Sequence, residues 1–167
     1  MKIMGIIYAA TCLGKNRRPI KVEKFRSMIE GADELFSETA LAHGIDGYGK
    51  IKDDPRITPL GRLLRRYWLD ETPQIPGLFT GKFRLVGIRP RSEEYWKLFP
   101  PEHAERALKY RPGLFGVNYF NDGESFSGMI KAEGRYLDEK ENRPFLTDVK
   151  YFSMLAYRIL FGGLRSY

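Results

Sequence analysis

The chain is poor in the residues that usually announce a chemistry: one cysteine, two histidines, and no apolar run long enough to span a bilayer. Cys12 alone cannot close an intrachain disulfide, which points to a reducing compartment, and with neither His43 nor His103 near it in sequence it is not read as a reactive thiol. The histidines are too far apart to make a recognisable metal motif, and no Walker or dinucleotide-type glycine loop is present. Residues 3–12 are apolar but far too short for a membrane span, and they lack the cleavage signature of a secretory signal. The expectation is a cytoplasmic, soluble chain. No internal repeat or low-complexity segment interrupts it.

What is present suits one folded domain over 1–167, large enough to bury a core without disulfides. Hydrophobic residues make up 43% and charged residues 29%, the balance of a folded protein rather than a disordered one. Lys and Arg number 28 against 21 Asp and Glu, a net +7 with a pI of about 9.5, which favours phosphate-bearing partners or an anionic membrane surface. Nucleic acid is the rival partner, and 14% aromatic content is compatible with it. Against it, no RNP-like, zinc-finger or basic-zipper pattern occurs, and the arginines cluster around a carboxylate pair that repels phosphate unless a metal is present. Nucleic acid is therefore not expected to bind.

The pattern predicts an α+β fold, mostly helical, with a small antiparallel β-hairpin. Residues 3–10 and 20–25 read as strands joined by the turn-rich stretch 14–19. Asp33 is placed to cap a helix running to about 43, and 44–59, with three glycines and two prolines, reads as a long loop. Leucines at 60, 63 and 64 repeat at helical spacing over 60–68, leaving Arg62, Arg65 and Arg66 on the remaining faces. Further on, 83–86 is a strand candidate, 92–99 and 101–110 are helices, and 111–113 is a turn. A helix is expected over 125–140, weakened by Gly128 and Gly134. The last helix, 145–161, carries a broad apolar stripe of Phe145, Val149, Phe152, Leu155, Ala156, Ile159 and Leu160. That stripe, with Trp68, Tyr95 and Trp96, fits either a membrane surface or ordinary core packing.

The most chemically loaded stretch is Leu69-Asp-Glu-Thr-Pro-Gln74, which follows the three arginines. Adjacent residues in mid-helix point about 100° apart and cannot share a task, but at a helix start they can. Asp70 reads as an N-cap, with Glu71 and Pro73 in the first turn, so the pair brackets the helix's positive end. A carboxylate that attacks a pyrophosphate must overcome roughly 4 kcal/mol of repulsion at about 4 Å and an effective dielectric of about 20. Arginines and a Mg²⁺ held partly by Glu71 would supply that compensation and keep Asp70 ionised. The same spacing is also an ordinary helix start, with Asp as cap and Glu favouring the macrodipole.

The run from Asp54 through Gln74, followed by Leu85-Val-Gly-Ile-Arg-Pro90, resembles the bacterial sugar transferase family, the monotopic polyprenyl-phosphate phosphoglycosyl transferases. Gly14-Lys-Asn, then 19–28 ending Lys24-Phe-Arg-Ser-Met28, is similar to the family segment just after its membrane helix. Arg111-Pro-Gly113 with Gly116 is similar to its Pro-Gly-x-x-Gly segment. The resemblance covers most of the chain, and several motifs in the right order are more specific than any one.

The resemblance implies that Asp70 and Glu71 are the catalytic dyad, Asp70 as nucleophile and Glu71, with Asp70, as the Mg²⁺ ligand. It also implies that Lys24, Arg26, Arg66, Arg89 and Arg111 bind substrate phosphate, Arg89 and Arg111 foremost because guanidinium geometry fits phosphate. The implied reaction carries a phospho-sugar from a nucleotide diphospho-sugar, usually a UDP-sugar, to a polyprenyl phosphate, initiating glycan assembly at the cytoplasmic face of the inner membrane. The family's hydrophobic re-entrant helix has no counterpart here, so the expectation is the catalytic domain alone. Thr72 replaces a Leu, Ile88 replaces a Pro, and Val117 to Asp122 replaces the usual Trp and Gln-Val-Asn-Gly run. Shifted substrate selection and lost activity both stay open at those departures, as does a binding or scaffold role derived from the enzyme fold.

Overall fold

A computed structural model describes residues 5–44, 51, 53–120 and 125–161. The N-terminal hairpin forms: β1 (Ile7–Leu13) pairs antiparallel with β2 (Pro19–Phe25), Ile7 opposite Phe25 and Leu13 opposite Pro19. The turn between them, with Asn16 and Arg17 at φ of 55° and 59°, uses the left-handed backbone that loop residues tolerate. β1 runs three residues beyond the expected end at Ala10, and positions 3 and 4 lie outside the described residues. Most of the hairpin is exposed. Cys12 and Val22 are buried and close on Phe83 to make a small core beneath it.

Helix α1 (Phe36–His43) starts later than expected and buries no residue. Asp33 does not cap it, because the amides of Glu34 and Leu35 both donate to the Gly31 carbonyl and form a separate turn first. In the long loop, 45–50 and 52 lie outside the described residues. The part next to the site is pinned by Arg56, which pairs with Asp54 at 2.7 Å and donates to the Ala32 carbonyl. Thr58 then caps α2 (Pro59–Arg66), its hydroxyl accepting from the Gly61 amide at 2.9 Å with Pro59 at the first helical position. Gly61 is required here, since a Cβ would lie 1.9 Å from the Ser27 carbonyl oxygen. That close approach docks α2 on the chain leaving β2.

Past α2 come a 3-10 turn (Leu69–Gln74) and the short α3 (Pro76–Phe79). β3 (Arg84–Gly87) pairs in parallel with β4 (Gly113–Gly116), Val86 opposite Phe115 and Gly87 opposite Gly116. The strand expected at 83–86 is β3, whereas 111–113, expected as a turn, leads into β4, which no sequence pattern predicts. Four residues with two glycines carry no alternation, and the partner strand lies far back in the chain. Helices α4 (Glu93–Trp96) and α5 (Pro101–Leu108) are shorter than expected. The last two, α6 (Phe126–Asn142) and α7 (Pro144–Leu160), form a hairpin broken only at Arg143. Gly128 does not weaken α6, because it sits in the first turn with its amide capped by Ser125 Oγ.

The main core lies between the parallel pair and α4–α7, around Val86, Trp96, Val117, Leu137, Tyr151 and Leu155. Trp96 thus belongs to the core rather than the surface. The α7 stripe divides: Leu155 is buried, Ala156 and Ile159 are partly so, and Phe145, Val149 and Phe152 face out. At the centre, Glu133 of α6 is 0% exposed and accepts from both ends of the Arg91 guanidinium and shares a hydrogen bond with His103 of α5. Arg91 also stacks on Phe99 and Trp96, 4.5 and 4.9 Å from the ring centroids, and its carbonyl accepts from the Leu13 amide. One arginine therefore ties the hairpin to the helical layer.

Burial opposes ionisation of Glu133, but the Arg91 charge and the His103 and Arg91 hydrogen bonds outweigh it and hold the carboxyl below the usual glutamate range. Its contribution is fully present above the unfolded value of about 4.3 and is lost as pH falls through the lower folded value. Glu133→Ala strands the Arg91 charge in the core and is expected to cost about 3–5 kcal/mol in urea unfolding. A loss under about 1 kcal/mol would show that Arg91 finds solvent on its own.

Candidate active site

The dyad sits where α2 gives way to the 3-10 turn. Trp68 reverses the chain there with φ 60° and ψ 15°, a left-handed conformation that a bulky side chain adopts at a cost of roughly 1–3 kcal/mol. Ring contacts with Phe115 and Tyr119, 5.5 and 5.2 Å between centroids, hold it in place. Asp70 is therefore the second residue of the turn and not the expected N-cap: Trp68 takes the cap position, and no side chain among the described residues caps the turn. The turn is 3-10 because of Pro73, which has no amide to offer the Leu69 carbonyl. The Thr72 hydroxyl takes that carbonyl instead, at 2.8 Å, so the replacement of Leu by Thr has a structural use.

In a 3-10 turn neighbours project about 120° apart and residues three apart eclipse. Glu71 points at cations. Its carboxylate accepts from Arg89 at both oxygens, one at 2.8 Å and the other in a shorter contact, and from Lys24 Nζ at 2.9 Å. Arg89 also donates to the Leu114 carbonyl of β4. Gly116 makes this possible, since a Cβ there would lie 2.6 Å from Arg89 Cγ and 2.0 Å from Asn118 Oδ1. Glu71 is 5% exposed; burial opposes its charge, but Arg89 and Lys24 together hold its carboxyl down at about 2.

Asp70 meets the opposite environment. It is 3% exposed, and its Oδ1 has no hydrogen-bond partner among the described residues. Burial pushes its carboxyl above the ordinary aspartate range, opposed by Lys24, reinforced by the Glu71 charge and opposed again by Arg65. Arg65, anchored by Nε to Ser27 Oγ at 2.9 Å, is held on the Asp70 side of α2 and has its own pKa lowered by burial. Three cations, Lys24, Arg65 and Arg89, thus act on two carboxylates, and the neighbourhood is net positive before any ligand arrives.

Of the five basic residues expected at substrate phosphate, the structure brings Lys24 and Arg89 onto the dyad. Arg26 lies at the open end of the hairpin, its Nε donating to the Gly5 carbonyl and its guanidinium 6.0 Å from the Tyr8 ring. Arg66 is on the exposed side of α2 near Tyr67. Arg111 is exposed and rests against Gly81 after α3. None of these three bonds to either carboxylate among the described residues. Sequence reasoning missed Arg65, Ser27 and Asn118 as site residues; helical spacing had placed Arg65 off the leucine face but gave no direction toward Asp70. Among the described residues no three side chains of His, Cys, Asp and Glu converge into a metal cage. The donor set still fits a magnesium ion carried mainly by substrate phosphates, because Asp70 Oδ1 is a buried oxygen without a partner and Lys24, one-third exposed, can leave Glu71.

Glu71→Gln removes the counter-charge of a largely buried arginine and is expected to lower stability by about 3–5 kcal/mol in urea unfolding, with Lys24→Ala costing under about 1 kcal/mol because the lysine is partly solvated. Equal small losses from both would mean that Arg89 is held by Leu114 alone.

A profile described as bacterial sugar transferase matches residues 2–162. The galactosyl transferase CpsE of Streptococcus agalactiae is 29% identical over 161 residues, covering 93% of this chain and 35% of that protein. The exopolysaccharide production protein ExoY of Sinorhizobium fredii is 36% identical over 118 residues, covering 68% of this chain and 52% of its own length. The UDP-glucose:undecaprenyl-phosphate glucose-1-phosphate transferase of Escherichia coli is 34% identical over 121 residues, 70% of this chain and 23% of that one. The chain spans between about a quarter and a half of these relatives. With a family match that runs nearly end to end over a dyad buried among arginines, the chain belongs to the bacterial sugar transferase family.

Proposed function

We propose that the chain is the catalytic part of a phosphoglycosyl transferase that moves a phospho-sugar from a nucleotide diphospho-sugar, a UDP-sugar, to a polyprenyl phosphate through an ester on Asp70. The observation that carries this reading is the contrast within the dyad: Glu71 is clamped by two cations, whereas Asp70 keeps a carboxylate oxygen without a partner. An anchored acid and a free one, side by side in a positive site, fit a nucleophile and its support.

In the first half-reaction the Asp70 oxygen forms a bond to the phosphorus that bears the sugar. The bond from that phosphorus to the bridging oxygen breaks, and the nucleoside monophosphate departs with the electron pair. In the second, a lipid phosphate oxygen attacks the same phosphorus and Asp70 regains its free carboxylate. Lys24, partly solvated, swings from Glu71 to the phosphate oxygens, while Arg89 stays fixed by Glu71 and the Leu114 carbonyl and presents its charge to them. Mg²⁺ held by Asp70 and Glu71 would neutralise pyrophosphate charge there. Arg26, Arg66 and Arg111 lie further out and serve the approach of anionic substrates through their field.

The acceptor's lipid tail calls for a membrane surface. Leu63, Tyr67, Ile75 and Phe79 are exposed on the elements that flank the dyad, Phe79 at 88%, with Arg62 and Arg66 exposed among them. Apolar side chains interleaved with arginines suit contact with anionic lipid headgroups, and the cytoplasmic face is the proposed place of action. None of the helices among the described residues is long and apolar enough to cross a membrane.

Incubation with a panel of nucleotide diphospho-sugars, Mg²⁺ and a short polyprenyl phosphate, reading nucleoside monophosphate, tests the reading. Asp70→Asn is expected to lower release by roughly 10³-fold or more with the fold intact. Because burial raises the Asp70 carboxyl, wild-type release should fall as pH drops through a range above that of an ordinary aspartate, the protonated acid being unable to attack. An unchanged rate in Asp70→Asn would remove Asp70 as the nucleophile, and a wild type that releases nothing would leave the chain as a binding or scaffold relative.

A further inference from the structure

Asp70 is not the only side chain at the dyad with unmet hydrogen bonds. Gln74 is 2% exposed and neither its Nε2 nor its Oε1 has a partner among the described residues, and the same holds for Trp68 Nε1 and Asn118 Oδ1. Buried polar atoms of native proteins are rarely left so, and several together call for one explanation. Two of the four are acceptors that need a donor, Gln74 Oε1 and Asn118 Oδ1, and two are donors, Gln74 Nε2 and Trp68 Nε1.

Their placement is set by the backbone. Glu71 and Gln74 are three apart in the 3-10 turn, so Gln74 eclipses Glu71. Asn118 borders the other side, its Oδ1 and the Arg89 stem pressing on the same face of Gly116. Gln74 thus shares a face of the turn with Glu71, Asn118 borders the Arg89 stem, and the indole of Trp68 packs on Phe115 and on Tyr119, the residue after Asn118.

Phosphate oxygens only accept at neutral pH, so a pyrophosphate leaves both acceptors unmet, and the local cations do not meet them: Arg89 is held by Glu71, and Lys24 by Glu71 or, once the donor is bound, by its phosphate. A group is needed that both donates and accepts, which a hydroxyl does. A nucleobase edge also does both, but it is a ribose and a phosphate away from the phosphorus under attack, whereas the sugar is joined to that phosphorus through a single oxygen. We propose that Gln74, with Asn118, hydrogen-bonds hydroxyl groups of the sugar being transferred and so selects that sugar. This inference rests on the phosphoglycosyl transfer reading and assigns its specificity contacts.

The test compares UDP-glucose with UDP-galactose, which differ in the orientation of one hydroxyl. Nucleoside monophosphate release gives kcat/KM for each donor with wild type, Gln74→Ala, Gln74→Glu and Asn118→Ala. Removal of the Gln74 amide is expected to lower kcat/KM for the preferred donor roughly tenfold or more and to shrink the preference between donors by a similar factor, Gln74→Glu keeping part of it through its remaining acceptors. Asn118, half-buried, gives the same direction in a variant whose fold is less at risk. The ratio is also read as Kd for the two donors by calorimetry in the Asp70→Asn background. A protein that releases nothing but still loses discrimination with Gln74→Ala refutes the transfer and keeps the sugar contact. A wild type that does not distinguish the donors, or variants that weaken both equally or neither, overturn the inference and leave ordered water as the partner of these amides.

Discussion

The pair between Glu71 and Arg89 is the constraint on which the site depends. It joins the 3-10 turn to the segment after β3, and through the Leu114 carbonyl to β4; Lys24 adds β2. Those pieces are remote in sequence, and none alone fixes where a carboxylate points. Two charges taken out of water must be well bonded to break even, and here both oxygens of Glu71 are used and the guanidinium has a carbonyl as well. The geometry around them follows. Gly116 lacks a side chain so that Arg89 can pass, and Trp68 accepts a strained backbone so that the turn aims Glu71 inward.

With Glu71 spent on cations, Asp70 is left with the opposite fate. Burial alone raises both acids; what separates them is that Arg89 and Lys24 bond one and act on the other only at a distance. Two adjacent carboxylates therefore differ in readiness to ionise because of their partners, not their identity. Repulsion between a carboxylate and a pyrophosphate calls for a cation to offset it. The fold already collects three around the two acids, so the field that admits an anionic ligand is present in the protein itself.

Local rules carried the reading where local chemistry decides the outcome. The hairpin follows from Gly14, Asn16 and Pro19 between two apolar runs, and α2 from Pro59 and the leucine spacing. They failed where a distant residue decides. Asp70 looked like a cap because the pattern around it is that of a helix start, but Trp68, held by Phe115 and Tyr119 about fifty residues on, took that position. β4 has no periodicity to read, and its parallel partner lies across two intervening helices. The same holds for Glu133, which occupies what looks like a charged position of α6 and is in fact the most buried acid of the core. Lys24 and Arg89 were named by family resemblance; nothing in their spacing says that they share one carboxylate.

Asp70, the proposed nucleophile, is 3% exposed and so closed to substrate in the state described here, and the surroundings indicate which part opens. Arg89 is bonded on two sides and sits largely buried, and Arg65 is tethered to Ser27, so neither moves cheaply. Lys24 is one-third exposed, holds Glu71 by a single ammonium contact, and has water as an alternative partner. Exchanging that contact for a phosphate oxygen replaces one ion pair by another of similar strength, so the exchange is nearly neutral until phosphate is there to receive it. In the proposed reaction the unmet oxygen of Asp70 then meets the phosphorus of the bound donor. In the proposed reaction binding and activation thereby become one event, in which the substrate's own charge draws Lys24 from Glu71 and opens the way to Asp70.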